Sequence, residues 1–177
     1  MASIITLQEG FTLAVKKIAT LAVLTTLMMA LAYLERMLPG FIPLLPYCKL
    51  GLSNIVLLFA IYALSKRDAF FLLFIKLFLS VVLFGSASGF LYALLGGILA
   101  LAFMCAGERT QKFSVIGVSI IGALFHNAGQ MLAAMILLKS GSVFYMLPLF
   151  LLSGVLTGLL TGIIAQLLIS RCRHLVP

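Results

Sequence analysis

The sequence is short of charge, and of acidic residues above all. Only 9% of its 177 residues are charged, with four acids against twelve lysines and arginines. A soluble domain carries about 25% charged residues, so this chain has too little polar surface to cover a globule in water. Because 64% of its residues are hydrophobic, we expect an integral membrane protein that lies in the lipid bilayer.

Motifs for nucleotide hydrolysis, metal binding and diphosphate chemistry are also missing. The sequence has no G-x-x-x-x-G-K-[ST] loop and no H-E-x-x-H helix, and its only aspartate is Asp68. The three cysteines lie far apart without C-x-x-C spacing, which argues against a disulfide framework or a zinc site. They are Cys48, Cys105 and Cys172. We expect no catalytic residue, no metal and no cofactor, and the chain is not expected to be an enzyme.

Apolar runs predict an all-α bundle of six transmembrane helices in one domain that covers residues 1–177. A spanning helix needs about 20 mostly apolar residues. The predicted spans are about 18–35, 49–64, 69–84, 90–106, 113–138 and 143–169. Short loops join them, and residues 1–16 and 170–177 form the tails.

Basic residues predict the orientation of these helices. Three of them, Arg36, Lys49 and Lys139, fall on one side of the predicted bundle. Eight fall on the other: Lys16, Lys17, Lys66, Arg67, Arg109, Lys112, Arg171 and Arg173. Since basic residues are retained on the cytoplasmic side, both termini are expected to be cytoplasmic in a multi-pass protein of the cell membrane. This explains the net charge of +8 without a nucleic-acid partner.

The first helix has a second interpretation. Lys16 and Lys17, the apolar stretch after them and Ala30-x-Ala32 are also typical of a secretory signal and its cleavage site. Cleavage would leave five spans and reverse the charge argument, and this alternative stays open.

Small residues recur four apart in three of the helices. In membranes such stripes let two helices approach closely. The stripes are Ala22, Thr26 and Ala30, then Gly89, Ala93 and Gly97, and finally Gly154, Gly158 and Gly162. Each is either a packing face within the bundle or a docking face for another membrane subunit.

Polar groups within the spans form a short set. The stretch "LFHNAGQML" places His126 and Gln130 on one helix face and Asn127 on its flank. Lys76 lies near the middle of the third span, and intramembrane ionisable groups commonly mark a site. Glu35, Lys49 and Asn54 lie near the helix ends on the side of the membrane opposite the two termini. Together with Lys76, His126, Asn127 and Gln130 they predict a pocket for a polar or anionic solute. For Asn127 and Gln130, a hydrogen-bonded contact between helices is the alternative.

Several stretches resemble a known family. "CKLGLSNIVLLFAIYAL", "LFGSASGFLYALLGG", "FSVIGVSIIGALFHNAGQMLAA" and "YMLPLFLLSGVLTGLLTGIIA" are similar to the Gx transporter family, whose older label is heptaprenyl diphosphate synthase component I. The family looks like the substrate-binding (S) components of energy-coupling-factor importers. That resemblance implies a six-helix subunit that captures a micronutrient, together with a transmembrane scaffold subunit and two ATPases. It also implies partner docking through small residues of the first helix, here Ala22, Thr26 and Ala30.

The leading hypothesis is therefore a solute-capture subunit whose pocket is lined by the polar set: Glu35, Lys49, Asn54, Lys76, His126, Asn127 and Gln130. The alternative is a non-catalytic membrane subunit that assists a heptaprenyl diphosphate synthase. A self-sufficient secondary carrier fits less well, because the six helices show no sequence duplication.

Overall fold

The computed structural model describes residues 2–37, 51–84 and 87–176 of the chain. These residues form six α-helices and no strand, which confirms the all-α class. The helices are α1 (Ala2–Met37), α2 (Ser53–Ala63), α3 (Lys66–Phe84), α4 (Ala87–Arg109), α5 (Val115–Leu138) and α6 (Leu147–Cys172). Two short 3-10 helices, Gly141–Met146 and Arg173–Leu175, flank α6.

Four stretches of the described residues are long and apolar enough to cross a membrane. They are Phe11–Glu35, Ser88–Arg109, Val115–Leu138 and Gly141–Cys172. The chain is therefore a multi-pass membrane protein. The first helix starts earlier than its predicted span, at Ala2, and its 36 residues extend about 54 Å, well beyond a hydrocarbon core of about 30 Å.

The shortest helix, α2, occupies the centre of the bundle. It has eleven residues, or about 16 Å, which is too short to cross the bilayer. Every residue from Ser53 to Ile61 is buried, and α2 contacts all five other helices. A helix that is apolar all round belongs in a core. The predicted span 49–64 thus begins at Ser53 in the structure, and Lys49 lies outside the described residues.

Glycines bring α6 against α5. A Cβ at Gly158 would lie 2.6 Å from Ile120 Cα, and one at Gly162 would lie 2.9 Å from Ile116 Cα. The backbones therefore approach as closely as small-residue stripes allow. This stripe is a packing face within the bundle.

The crossing of α4 and α5 is closer still. A Cβ at Gly129 would lie 2.6 Å from the carbonyl carbon of Leu95 and 2.7 Å from Gly96 Cα. Both contacts are to backbone atoms, which cannot rotate away.

Helix α1 packs on α2 and α3 through one face. Leu24 and Met28 are buried there. The stripe of Ala22, Thr26 and Ala30 is exposed on the outer face of α1. In contrast to the stripe of α6, it makes no packing face within the described bundle.

Ion pairs join three helices at one end of the bundle. Lys17 Nζ lies 2.9 Å from Asp68 Oδ1, and Lys66 Nζ lies 2.6 Å from Glu108 Oε2. We call this the basic end. The opposite end, where α1 and α5 finish and α2 and α6 begin, is called the far end.

Replacing Gly129 by Ala is expected to destabilise the protein, because the added methyl group must push α4 away from α5. Overpacking of this kind costs about 1–3 kcal/mol. The matched control is Gly107→Ala in α4, where the nearest atoms are side-chain carbons 3.5 Å or more away; it should be neutral or gain up to about 1 kcal/mol in helix propensity. The free energy of unfolding in detergent measures both, and equal effects would contradict the close crossing.

Candidate functional site

Among the described residues of the far half, Lys76 is the most deeply buried charged residue. Its Nζ donates a hydrogen bond to Ser53 Oγ at 2.6 Å, and the two residues are 9% and 2% exposed. Lys76 comes from α3 and Ser53 opens α2. An ammonium group within a membrane is costly unless polar groups surround it. The first turn of α2 provides one such group.

The same turn is capped by a residue of α1. Gly51 adopts a left-handed φ of +68°, and its N–H donates to Glu35 Oε1. The Asn54 N–H donates to Gly51 O at 2.8 Å and closes the turn. Since the start of α2 has no cap from its own side chains, the Glu35 carboxylate supplies the negative charge that a helix N-terminus favours.

Three of the predicted site residues therefore converge on the start of α2. We call the group of Glu35, Gly51, Ser53, Asn54 and Lys76 the α2 polar cluster. Asn54 is buried within it, with 6% exposed. Lys49, which the sequence also placed here, lies outside the described residues.

His126 and Gln130 form a second polar group on α5. Their Nε2 atoms lie 3.0 Å apart, and both side chains are buried, as expected for residues four apart on one face. The imidazole packs on the backbone of α4, since a Cβ at Gly96 would lie 3.0 Å from His126 Cε1. The α4–α5 crossing thus sets the position of the ring.

Asn127 has a different role from its neighbours. Its Nδ2 donates to Phe150 O at 2.9 Å and to Ser153 Oγ at 3.1 Å, both on α6. Asn127 thus joins α5 to α6, which is the alternative that the sequence left open for it.

The two polar groups lie at a similar depth along their helices. Lys76 is eight residues before Phe84, where α3 ends, and Gln130 is eight residues before Leu138, where α5 ends. Each is about 12 Å from the far end. The central helix α2 contacts both α3 and α5.

Sequence reasoning missed Ser53 and Ser153, the hydroxyl partners of Lys76 and Asn127. It also passed over Asp68, which lies at the basic end. Ser65 Oγ donates to Asp68 Oδ2 at 2.7 Å, and the Asp68 N–H donates back to Ser65 Oγ at 3.2 Å. Ser65 therefore caps the N-terminus of α3, because its hydroxyl accepts from the N–H of the third helical residue, and S-x-x-D was the available sequence signal.

An apolar cavity lies between α3 and α4. Its volume is about 430 Å³, and six apolar residues line it: Phe74, Leu77, Phe78, Val81, Phe90 and Leu94. Phe74 and Phe78 are more than half exposed, so the cavity opens to the surrounding lipid. Among residues 2–37, 51–84 and 87–176, no three His, Cys, Asp or Glu residues gather into a group that could hold a metal.

Comparison with known families covers most of the chain. Residues 24–168 match the family described as heptaprenyl diphosphate synthase component I. The chain belongs to this family. The matched range includes every residue of both polar groups. It begins after Lys17, so this residue of the basic end lies outside it. Neither the curated proteins nor the solved structures contain a match to the chain.

The Asp68 carboxyl gives the basic end a pH dependence. Burial alone would raise its pKa, but the hydrogen bond from Ser65 and the ammonium of Lys17 outweigh burial and hold that pKa below its usual value. A lowered carboxyl pKa stabilises the fold above the unfolded pKa of about 3.9. This contribution is lost as the pH falls through the folded pKa.

We expect Asp68→Asn to be less stable than the wild type at pH 7. Because the Lys17 side chain is 48% exposed, the difference should be small, about 0.2–1 kcal/mol. It should shrink towards zero below about pH 4. Unfolding in detergent across this pH range measures it, with Lys17→Gln as the matched partner variant. A difference that does not change with pH would contradict the ion pair.

Proposed function

We propose that the chain is the substrate-binding (S) subunit of an energy-coupling-factor type importer, and that it captures a small polar or anionic micronutrient. The observation that carries this proposal is the buried ammonium of Lys76 beside the N-terminus of α2. Intramembrane ionisable residues commonly line substrate pathways.

The charges around α2 suit an anionic group. The backbone N–H groups that open a helix attract negative charge, and the Lys76 ammonium lies on Ser53 in the same turn. The Glu35 carboxylate already accepts from Gly51 N, so one anion is held at this position within the protein itself. A carboxylate or phosphate of the solute would instead take the Lys76 ammonium as its partner.

The α5 residues would orient the solute. His126 and Gln130 together offer donors and acceptors at a depth similar to that of Lys76. Asn127 contributes indirectly, because it holds α6 against α5. Lys49 belongs to the proposed lining from its place in the sequence alone.

The proposed topology follows the charge distribution. With the basic end in the cytoplasm, both termini are inside and the α2 polar cluster is nearer the outer surface of the cell membrane. Solute would then enter from outside, as uptake requires.

The proposed partners are a transmembrane scaffold subunit and two ATPases. The sequence lacks the P-loop with which such an importer would hydrolyse ATP, so energy would have to come from another subunit. The small-residue stripe on the outer face of α1 offers these partners a close helix contact. Catalysis is not part of the proposal.

A second candidate function follows from the family description. It names a component of heptaprenyl diphosphate synthase, and the apolar cavity between α3 and α4 offers a surface for a prenyl chain. In this case the chain would be a non-catalytic membrane subunit of the synthase. It offers no aspartate pair for magnesium and diphosphate, since its one aspartate, Asp68, is engaged with Lys17 and Ser65.

A solute that binds the folded protein raises its unfolding temperature. We expect a fraction of a small-molecule cell extract to do this for the wild type and to have no effect on Lys76→Ala. The matched control is Lys112→Ala, which removes an exposed lysine at the basic end and should respond as the wild type does. Stabilisation of all three proteins to the same extent would place the solute elsewhere.

Larger side chains in the small-residue stripe of α1 should prevent the protein from binding its partner subunits. Ala22→Leu together with Ala30→Leu adds bulk on the exposed face, whereas the control Val23→Leu alters a neighbouring position that is 67% exposed. Co-purification from the membrane should yield a scaffold and ATPases with the wild type and the control, but not with the double variant. Recovery of a prenyl synthase instead would favour the second candidate function.

A further inference from the structure

The connection between α5 and α6 presents apolar side chains outward. It contains the 3-10 helix Gly141–Met146, none of whose residues is buried. Phe144, Tyr145 and Met146 are 56%, 89% and 44% exposed. Among the described elements, the segment packs chiefly on α5 and α6.

The length of α5 sets the depth of this connection. Its 24 residues extend about 36 Å, slightly more than a hydrocarbon core of about 30 Å. Residues that follow Leu138 therefore lie at the boundary between hydrocarbon and water. Aromatic residues with a polar tip, such as Tyr145, concentrate at that boundary.

Polar residues precede the aromatic ones in the same connection. Lys139 ends α5 in a left-handed conformation with φ of +47° and is exposed. Ser140 Oγ accepts from the Ser142 N–H at 3.2 Å, which satisfies the turn locally. The connection thus pairs a cation with adjacent aromatic rings, a combination that matches a phospholipid with its phosphate above its acyl chains.

We infer that residues 139–146 form a membrane anchor at the far end of the bundle. Phe144 and Tyr145 insert at the level of the phospholipid glycerol groups, while Lys139 contacts phosphate. The partner is the lipid surface itself. Since α5 carries His126 and Gln130, the anchor sets the depth of these residues in the bilayer, whichever solute they bind.

The sequence contains no tryptophan, which allows a direct test. Tyr145→Trp introduces a single indole into the full chain, to be reconstituted in vesicles of phosphatidylcholine and phosphatidylglycerol. We expect a blue-shifted emission. Bromine atoms near the head of the acyl chain should quench it more than bromine atoms near the end of the chain, and aqueous iodide should have little effect.

Leu132→Trp is the matched depth control. Leu132 lies on α5 and is 45% exposed, six residues or about 9 Å before the end of that helix. Its emission should be quenched best by the deeper bromines. Strong quenching of the Tyr145→Trp variant by iodide, with none by brominated lipid, would overturn the anchor. Protection of this variant from both quenchers would also overturn it, by showing that protein covers the segment.

The charge can be tested separately. Lys139→Glu in the Tyr145→Trp background places a carboxylate beside the phosphates, and should raise iodide quenching and reduce quenching by the shallow bromines. Lys112→Glu makes the same change in the loop that precedes α5 and should leave the indole emission of that background unchanged. If both variants behave identically, Lys139 is not part of the anchor.

Discussion

The hydrogen bond between Lys76 and Ser53 is the constraint on which the centre of this bundle depends. Helix α2 is surrounded by the other five helices, and the Ser53 and Asn54 side chains of its first turn are buried among them. A carboxylate from α1 accepts a hydrogen bond from Gly51 N just before that turn, and the Ser53 hydroxyl of the turn accepts one from the lysine of α3. Because the three helices meet at one set of polar atoms, a change in any of these groups alters the packing of all three.

The remaining helices form the rigid side of the molecule. Glycines let α5 approach both α4 and α6 so closely that added carbon atoms would meet backbone. The imidazole of His126 lies against Gly96, and Asn127 is tied to Phe150 and Ser153. Against this rigid unit, α1 is held by one apolar face and by two polar contacts, Lys17 near its middle with Asp68 and Glu35 near its end with Gly51. The architecture therefore combines a fixed wall with a first helix that has fewer attachments.

Much of the fold could be predicted, because apolar runs and their interruptions locate helices in a membrane protein. The shared face of His126 and Gln130 followed from their spacing. The shortness of α2 did not, since an apolar run looks alike whether lipid or protein surrounds it. The partners of Asn127 and Glu35 lie 23 and 16 residues away, one on α6 and the other just before α2, and local patterns contain no signal for them. The role of the α6 glycines became clear only from the position of α5.

The central claim is that the polar groups around Lys76 hold a solute. Native mass spectrometry of the detergent-solubilised wild-type protein tests it most directly, because a retained ligand is identified by its mass whatever its chemical class. The account predicts the mass of the chain plus one small polar compound, released when the protein is unfolded. A prenyl lipid as the specifically retained molecule, or a chain that stays unliganded after exposure to a complete cell extract, would contradict it.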